Sequence, residues 1–573
     1  MGIEFQERAI DRHFAAFICR QSMGEVSDLF RLVVSLASGA VGKGSSCLNL
    51  ADLDGESVVV GKREFLLPRF EGLVKLLKGS SVVGLPGGPP CPLVLDGSGH
   101  LYLYRYWQYE QELARRVLQK AGAASATLDE GLLLDGLARL FPGVSEADRQ
   151  KEAAVVALHR QFCIISGAPG TGKTSTVVRI LALLLEQEKG QRKRIAMAAP
   201  TGKAAARLKA SINDIKNSLD CSDAVKAAIP DDVVTLHRLL GTLSGSARFR
   251  HSAKNPLPFD ILIVDEASMV ALPMMSALVS ALRPDAHLVL LGDRDQLASV
   301  EPGSVLGDLC RAGAETQASP LSGSLVILEK NYRFQAGSGI AEISRAVNAG
   351  LESEALELLK SSEAGIAWQR SPLREELSGA LAKKVVEGYR GYLEAASPLD
   401  ALEQFDRFRL LCALREGPYG VGGLNHTVES ILAREGLIHP KGSFYRGRPL
   451  MITVNNHAMR LFNGDTGILF PDPESGGELK AFFPAPDGGV RSVAPERLPL
   501  HETAYAITIH KSQGSEFGRV LMILPPVDGE LMTRELLYTG MTRAKESVEI
   551  WTNEEVFCAA VRKKTKRSSG FYF

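Results

Sequence analysis

The chain has 573 residues, 45% apolar and 23% charged, with 66 basic and 66 acidic side chains. This composition excludes a disordered or fibrous protein, and the length suggests roughly three to four domains. A formal charge of zero excludes attraction of a polyanion by the whole molecule's field, so a nucleic-acid partner needs a locally basic channel.

No two of the eight cysteines, Cys19, Cys47, Cys91, Cys163, Cys221, Cys310, Cys412 and Cys558, stand at metal-ligand spacing. Met1 to Arg20 mixes charges with short apolar pieces and does not read as a signal peptide. No run of about 18 or more apolar residues occurs, so no membrane span is expected. Scattered thiols without a leader point to a reducing, cytoplasmic setting.

From Met1 to about Val144, short helical patterns surround the Gly/Pro-rich patch Gly84–Pro90. Leu101–Tyr109 alternates before a charged helical stretch, and Trp107 with its tyrosine neighbours reads as packing rather than base stacking. This region reads as a mostly helical accessory domain, 1–144, without chemistry of its own.

A different rhythm follows, in which short β-rich runs alternate with helical segments. The runs are Phe162–Ile165, Arg194–Ala198, Ile261–Val264, His287–Leu291 and Leu325–Leu328. They predict an α/β domain over 145–349 with a parallel sheet covered on both faces. A second α/β pattern, 350–573, contains Phe408–Cys412, Ala504–Thr508, Val520–Ile523 and Val548–Trp551. Between its first two strands, about 438–502, short strands and the turn signals Asn463-Gly464 and Asp487-Gly488 predict an inserted β-barrel. The basic run Arg562–Arg567 reads as a solvated tail ahead of a DNA contact.

Gly167-Ala168-Pro169-Gly170-Thr171-Gly172-Lys173-Thr174 fits the P-loop pattern, with a buried strand before it and a helix after it. The glycines let backbone N–H groups face phosphates at a helix N-terminus. Lys173 is placed to reach the β- and γ-phosphates of ATP, and the Thr174 hydroxyl to take a Mg²⁺ position. Asp265 and Glu266 end the strand Ile261–Val264, so the first suits Mg²⁺ and the second suits the attacking water. Gln296, in Gly292-Asp-Arg-Asp-Gln296, ends the next strand and suits a γ-phosphate sensor. Arg333 and Arg543 are candidates to complete the site from outside.

Taken in order, these pieces resemble the motifs of superfamily 1 helicases, and in particular the RecD family, the alpha subunit of exodeoxyribonuclease V. Gln150 matches the adenine-reading glutamine, Ala199–Leu208 motif Ia, Thr235–Gly241 motif Ib and Asp265–Ser268 motif II. Gly292–Leu297 matches motif III, Glu329–Phe334 motif IV, Ala504–Glu516 motif V and Leu537–Lys545 motif VI. The resemblance covers roughly Asp148 to Lys545.

The resemblance implies two RecA-like P-loop motor domains with an SH3-like barrel in the second. It implies Arg333 and Arg543 as arginine fingers, and Thr201, His237, Thr508 and His510 on single-stranded DNA. It also implies a strand-separating pin at about 242–258 and 5′ to 3′ movement. The missing helix-hairpin-helix repeats favour a subunit working with RecB-like and RecC-like partners at duplex DNA ends in break repair and recombination. A stand-alone helicase is the second expectation. A regulatory ATPase switch that does not unwind is the third, although Lys173, Glu266, Gln296 and Arg543 all stand intact. No clustered carboxylate–lysine motif outside the ATP site signals a nuclease.

Overall fold

The computed structural model describes residues 3–571 except 25, 124–127, 143–147, 188–192, 244, 247, 316–318, 334–337, 362–364, 457 and 486–488. The expected boundary at Val144, Ala247 of the pin, Phe334 and the turn at Asp487-Gly488 lie outside the described residues.

The first α/β unit is a six-stranded sheet. Its spatial order is Val234–Thr235, Ile195–Ala199, Ile261–Val264, His287–Gly292, Phe162–Gly167 and Leu325–Leu328. Every pairing is parallel. Strands buried on both faces must be apolar throughout, and Ile261–Val264 and His287–Gly292 have no residue outside the interior. One face is covered by helices Lys173–Glu186 and Gly202–Ser218, the other by Leu272–Ala281 and Val305–Glu315. Parallel strands place their C-terminal ends on one edge, where ligands bind in open α/β sheets. The P-loop, Asp265 and Asp293 all follow strands at that edge.

The second α/β unit is a five-stranded sheet in the order Ile366–Gln369, Ala544–Trp551, Phe517–Ile523, Phe408–Cys412 and Ala506–Thr508. It too is wholly parallel. Behind it Tyr389, Tyr392, Phe405 and Tyr505 form an aromatic core, and the Tyr389 hydroxyl donates to the Tyr505 carbonyl at 2.6 Å.

Between Phe408–Cys412 and Ala506–Thr508 the chain builds an antiparallel five-stranded sheet. Its order is Val490–Val493, Glu478–Pro484, Thr466–Asp472, Pro449–Ile452 and His501–Thr503. The sheet has its own small core, including Leu450, Leu469 and Phe483. Gly467 is required there, because a Cβ would stand 2.6 Å from the Phe482 carbonyl oxygen.

The N-terminal region adds two small sheets that the mostly helical expectation did not include. Helices Ala9–Gln21, Asp28–Gly42 and Phe70–Lys78 share a core with two small sheets, of three and four strands. Those strands are two to four residues long, too short for a period-two pattern to register. The alternating stretch is also a strand only to Leu103, because Tyr104–Ala121 is helical. Trp107 packs beside Cys47, Val94 and Tyr102. The helix Tyr104–Ala121 lies on the first unit's sheet, where the Lys120 ammonium donates to the carbonyls of Arg283, Pro284 and Ala286 at 2.6–3.2 Å.

Candidate nucleotide and nucleic-acid sites

The strand Phe162–Gly167 runs into a loop in which Gly170 and Gly172 take φ of +89° and +81°. Left-handed backbone of this kind is available to glycine at little cost. The helix Lys173–Glu186 begins directly after Gly172. A Cβ on Gly170 would meet Asn331 Oδ1 and Arg333 Cβ at 2.7 and 2.5 Å, so the segment after Leu325–Leu328 is pressed against the loop. Asn331 Nδ2 donates to the Pro169 carbonyl at 2.9 Å, and the Tyr332 N–H donates to that of Gly170 at 2.8 Å. Gln150 supports the loop from the other side, its Nε2 donating to the Thr171 carbonyl at 3.1 Å.

Lys173 Nζ donates to the carbonyls of Gly167 and Ala168 at 2.5 and 3.0 Å. Burial lowers its pKa, while Asp293, Glu266 and Asp265 favour the charged form. Burial, reinforced by the charge of Glu266, raises the pKa of Asp265. A divalent cation relieves that penalty, and the Asp265 carboxylate with the Thr174 hydroxyl supplies hard oxygen donors of the kind Mg²⁺ takes alongside phosphates and water. Glu266 sits at φ 51°, ψ 41°, a left-handed conformation costing a non-glycine residue roughly 1–3 kcal/mol. Strain of that kind persists where the surroundings over-determine it.

The second unit meets this edge directly. Tyr538 donates to Asp293 Oδ2 at 2.7 Å, and Gln296 Nε2 donates to the same oxygen at 3.0 Å. The residue after Gln296 is held at both backbone atoms: Leu297 N–H donates to Thr539 Oγ1 at 2.9 Å, and its carbonyl accepts from Gln513 Nε2 at 2.7 Å. Arg543 is buried, bonded through Nε to the Thr539 carbonyl at 3.0 Å and through Nη1 to that of Ser515 at 3.2 Å. Burial lowers its pKa, and Glu266 is the leading charge that opposes this. Lys173, Asp265, Glu266, Gln296 and Arg543 therefore form one group around Asp293, beside a cleft of about 200 Å³ lined by Gly167, Asp293 and Tyr538. Arg333 reaches it from the first unit and is ion-paired with Glu516 of the second. Arg207 shares that carboxylate.

Beside this edge lies a second cleft of about 1350 Å³, and Thr201, His237, Thr508 and His510 all line it. Thr201 caps the helix Gly202–Ser218, accepting from the Ala204 N–H at 3.2 Å. Thr508 Oγ1 accepts from the Lys511 N–H at 3.2 Å, and Lys511 Nζ donates to Asn463 Oδ1 of the inserted sheet at 2.7 Å. Eight lysines and arginines line the cleft against three glutamates, Glu301, Glu416 and Glu530, so a neutral protein carries a locally basic groove. At about 242–258, the pin expectation falls on a short excursion held by antiparallel bridges between Thr242 and Phe249 and between Ser252 and Asn255.

Family comparisons agree along the chain. Residues 7–102 match the model for the RecBCD enzyme subunit RecD, N-terminal domain. Residues 150–302 match an AAA domain, and 503–550 a UvrD-like helicase C-terminal domain. The RecBCD enzyme subunit RecD of Mycobacterium tuberculosis is 39% identical over 98% of this chain and 93% of its own length. This chain belongs to the RecD family.

The RecD subunit of Haemophilus influenzae is 35% identical over 82% of this chain and 79% of its own. The ATP-dependent RecD2 DNA helicase of Deinococcus radiodurans is 30% identical over 78% of this chain and 55% of its own. A crystal structure of Bacteroides Pif1 bound to single-stranded DNA covers 72% of this chain and 94% of its own, at 17% identity and a TM-score of 0.38. That likeness is too slight to add to the fold.

Three residues of this RecD-family site had no role from the sequence: Glu516, Arg207 and Tyr538. Each stands inside a quoted motif, which was the available signal. Their partners lie 183 to 309 residues away, which no local pattern encodes.

Proposed function

We propose that this RecD-family chain is an ATP-dependent DNA helicase that moves along single-stranded DNA from 5′ to 3′, as a subunit with RecB-like and RecC-like partners. The observation that carries it is the juxtaposition of the two clefts. The residue following Gln296 is bonded to Thr539 and Gln513 of the second unit, and Leu297 and Gln513 themselves line the larger cleft.

In this reading the two parallel units, 145–349 and 350–573, are RecA-like motor domains, the inserted sheet is SH3-like, and 1–144 is an accessory domain. Lys173 and the loop's backbone N–H groups hold the phosphates of ATP. Magnesium, held by Thr174 and Asp265, supplies charge neutralisation across them when bound. Glu266 takes a proton from the attacking water. Arg543, whose charge faces Glu266, neutralises developing negative charge from the second domain.

Loss of the γ-phosphate removes what Arg543 of the second domain shares with Lys173 and Gln296 of the first, and the domains relax. Nucleotide shifts the open–closed balance only by its differential affinity for the two states. Thr201 and His237 on one domain and Thr508 and His510 on the other grip the strand alternately, through contacts that suit phosphates and bases without reading sequence.

Eight free thiols and the absence, among the described residues, of any helix long and apolar enough to cross a membrane accompany this assignment. The test is unwinding of duplexes carrying a 5′ or a 3′ tail. Activity restricted to the 5′ tail is expected, and activity restricted to the 3′ tail overturns the direction. Purification from native cells is expected to bring two large partners, whereas a monomer that unwinds strongly alone favours a stand-alone enzyme.

A further inference from the structure

The basic run expected to be a solvated tail belongs to a segment anchored at both ends. After the last helix, Glu554–Arg562, the segment 563–571 leaves the second unit in irregular, non-helical backbone and crosses to the N-terminal region. At its start Lys563 Nζ binds the Asp528 carboxylate at 2.8 Å, and the Lys563 carbonyl accepts from the Arg534 N–H at 2.9 Å. Thr565 donates to Glu535 through its hydroxyl at 2.9 Å.

The far end docks on the N-terminal region. Ser568 donates its N–H to Ser45 Oγ at 3.1 Å, and its carbonyl accepts from the Ser46 N–H at 3.0 Å. The Gly570 N–H donates to Glu110 at 3.3 Å, and a Cβ on Gly570 would stand 1.7 Å from the Tyr102 hydroxyl. Phe571 packs against the first unit's core. The segment is therefore a strap held at both ends.

Between the anchors, Lys564 and Lys566 are exposed and line the 1350 Å³ cleft that also contains Thr201, His237, Thr508 and His510. Neither makes a hydrogen bond or ion pair among the described residues, although Lys564 lies within charge range of Asp295. Arg567 lies within charge range of His510, so the strap runs close to the cleft's motif residues. Ordering two long cationic side chains costs entropy unless they gain a partner, and a groove this basic selects an anionic polymer.

We propose that the segment Lys563–Gly570 closes one side of the cleft as a docked strap, and that Lys564 and Lys566 contact the phosphates of single-stranded nucleic acid lying in it. This rests on reading the cleft as the nucleic-acid path.

The test is fluorescence-anisotropy titration of labelled oligo(dT) against the full chain over a range of salt. Removing two phosphate contacts from a single strand lowers the slope of log K against log salt by about 1.4. The Lys564→Gln/Lys566→Gln double variant is expected to show that change, with about tenfold weaker binding at low salt. Gly570→Val, which forces the strap off Tyr102, is expected to weaken binding similarly although both lysines remain.

Unchanged affinity and slope in the double variant, with binding lost in Thr508→Ala/His510→Ala, overturns the strap contact and leaves the cleft reading standing. Unaltered binding in Gly570→Val with loss in the double variant overturns the docked strap in favour of a loose basic tail. Unaltered binding in all three overturns both readings.

Discussion

The nucleotide cleft takes its side chains from the segments that follow strands of the first sheet and from the helix Arg534–Met541 and the turn after it in the second unit, whereas the larger cleft beside it is walled by segments from across the chain. In the first, Lys173, Gln296, Tyr538 and Arg543 are tied down by hydrogen bonds of 2.5–3.2 Å. In the second, Lys564 and Lys566 are exposed and the wall includes Lys43 of the N-terminal region. A pre-organised charge constellation suits chemistry, where misplacement is costly. A groove that keeps exposed cations such as Lys564 and Lys566 suits a polymer that must slide. Changes in the first cleft should therefore alter turnover, and changes in the second should alter affinity and its salt dependence.

The largest expected effect breaks the comparison at its strongest point. Arg543→Ala should lower kcat for ATP hydrolysis by roughly 10³- to 10⁵-fold, with nucleotide binding retained. Steady-state turnover alongside equilibrium titration with a fluorescent ATP analogue checks it, and equal loss in both would place Arg543 in binding alone.

Glu266→Gln should cost roughly 10²- to 10⁴-fold in kcat, as expected for a group that accepts a proton in the rate-limiting step. Oligo(dT) affinity should not change. A matched loss of DNA binding would mean that the strained position of Glu266 is structural.

Glu516 joins the two units, and its loss sharpens the contrast between chemistry and architecture. Its carboxyl is pushed up by burial but held below the usual range by Arg207 and Arg333. A depressed carboxylate stabilises the fold above its unfolded pKa, about 4.3, and that contribution is lost as pH falls through the lowered native value. Breaking a buried ion pair costs about 3–5 kcal/mol, and less here because Arg207 is 41% exposed. Thermal melts from pH 3 to 7 should show Glu516→Gln melting several degrees lower at pH 7, with the difference closing on acidification.

The smallest expected effect lies at the strap. Burial pushes Glu110 up to about 7, while Ser46 and the Gly570 N–H act in the opposite sense. A carboxyl with a raised pKa favours the fold below its unfolded value, and the advantage is lost as pH rises through about 7. Glu110→Gln should therefore be more stable to unfolding than the parent at pH 8, by on the order of 1 kcal/mol, and differ less at pH 6. A parent whose stability is flat between those values would contradict it.

The same contrast explains what was readable in the amino-acid order. Gly167–Thr174, Asp265 and Gln296 follow strands whose apolar runs are continuous, so both the strands and their functional ends stood out. Strand limits moved by four residues at most, as where Val548–Trp551 begins at Ala544. The edge strands Val234–Thr235 and Ile366–Gln369 were not visible, being short and only partly buried. Tyr104–Tyr109 alternates in sequence yet is helical, because Tyr106, Glu110 and Leu113 share a buried face at helical spacing. The strap was misread because a basic run looks the same whether solvated or docked. Its partners Ser45, Ser46 and Glu110 carry no pattern, and they lie 460 to 523 residues away.

ATP hydrolysis by the intact chain, measured with and without oligo(dT) at saturating nucleotide, tests most directly whether the two clefts work as one device. The bonds from Thr539 and Gln513 onto Leu297 predict that filling the larger cleft raises turnover at the smaller one several-fold or more. Turnover that stays the same while oligo(dT) is demonstrably bound would contradict the account.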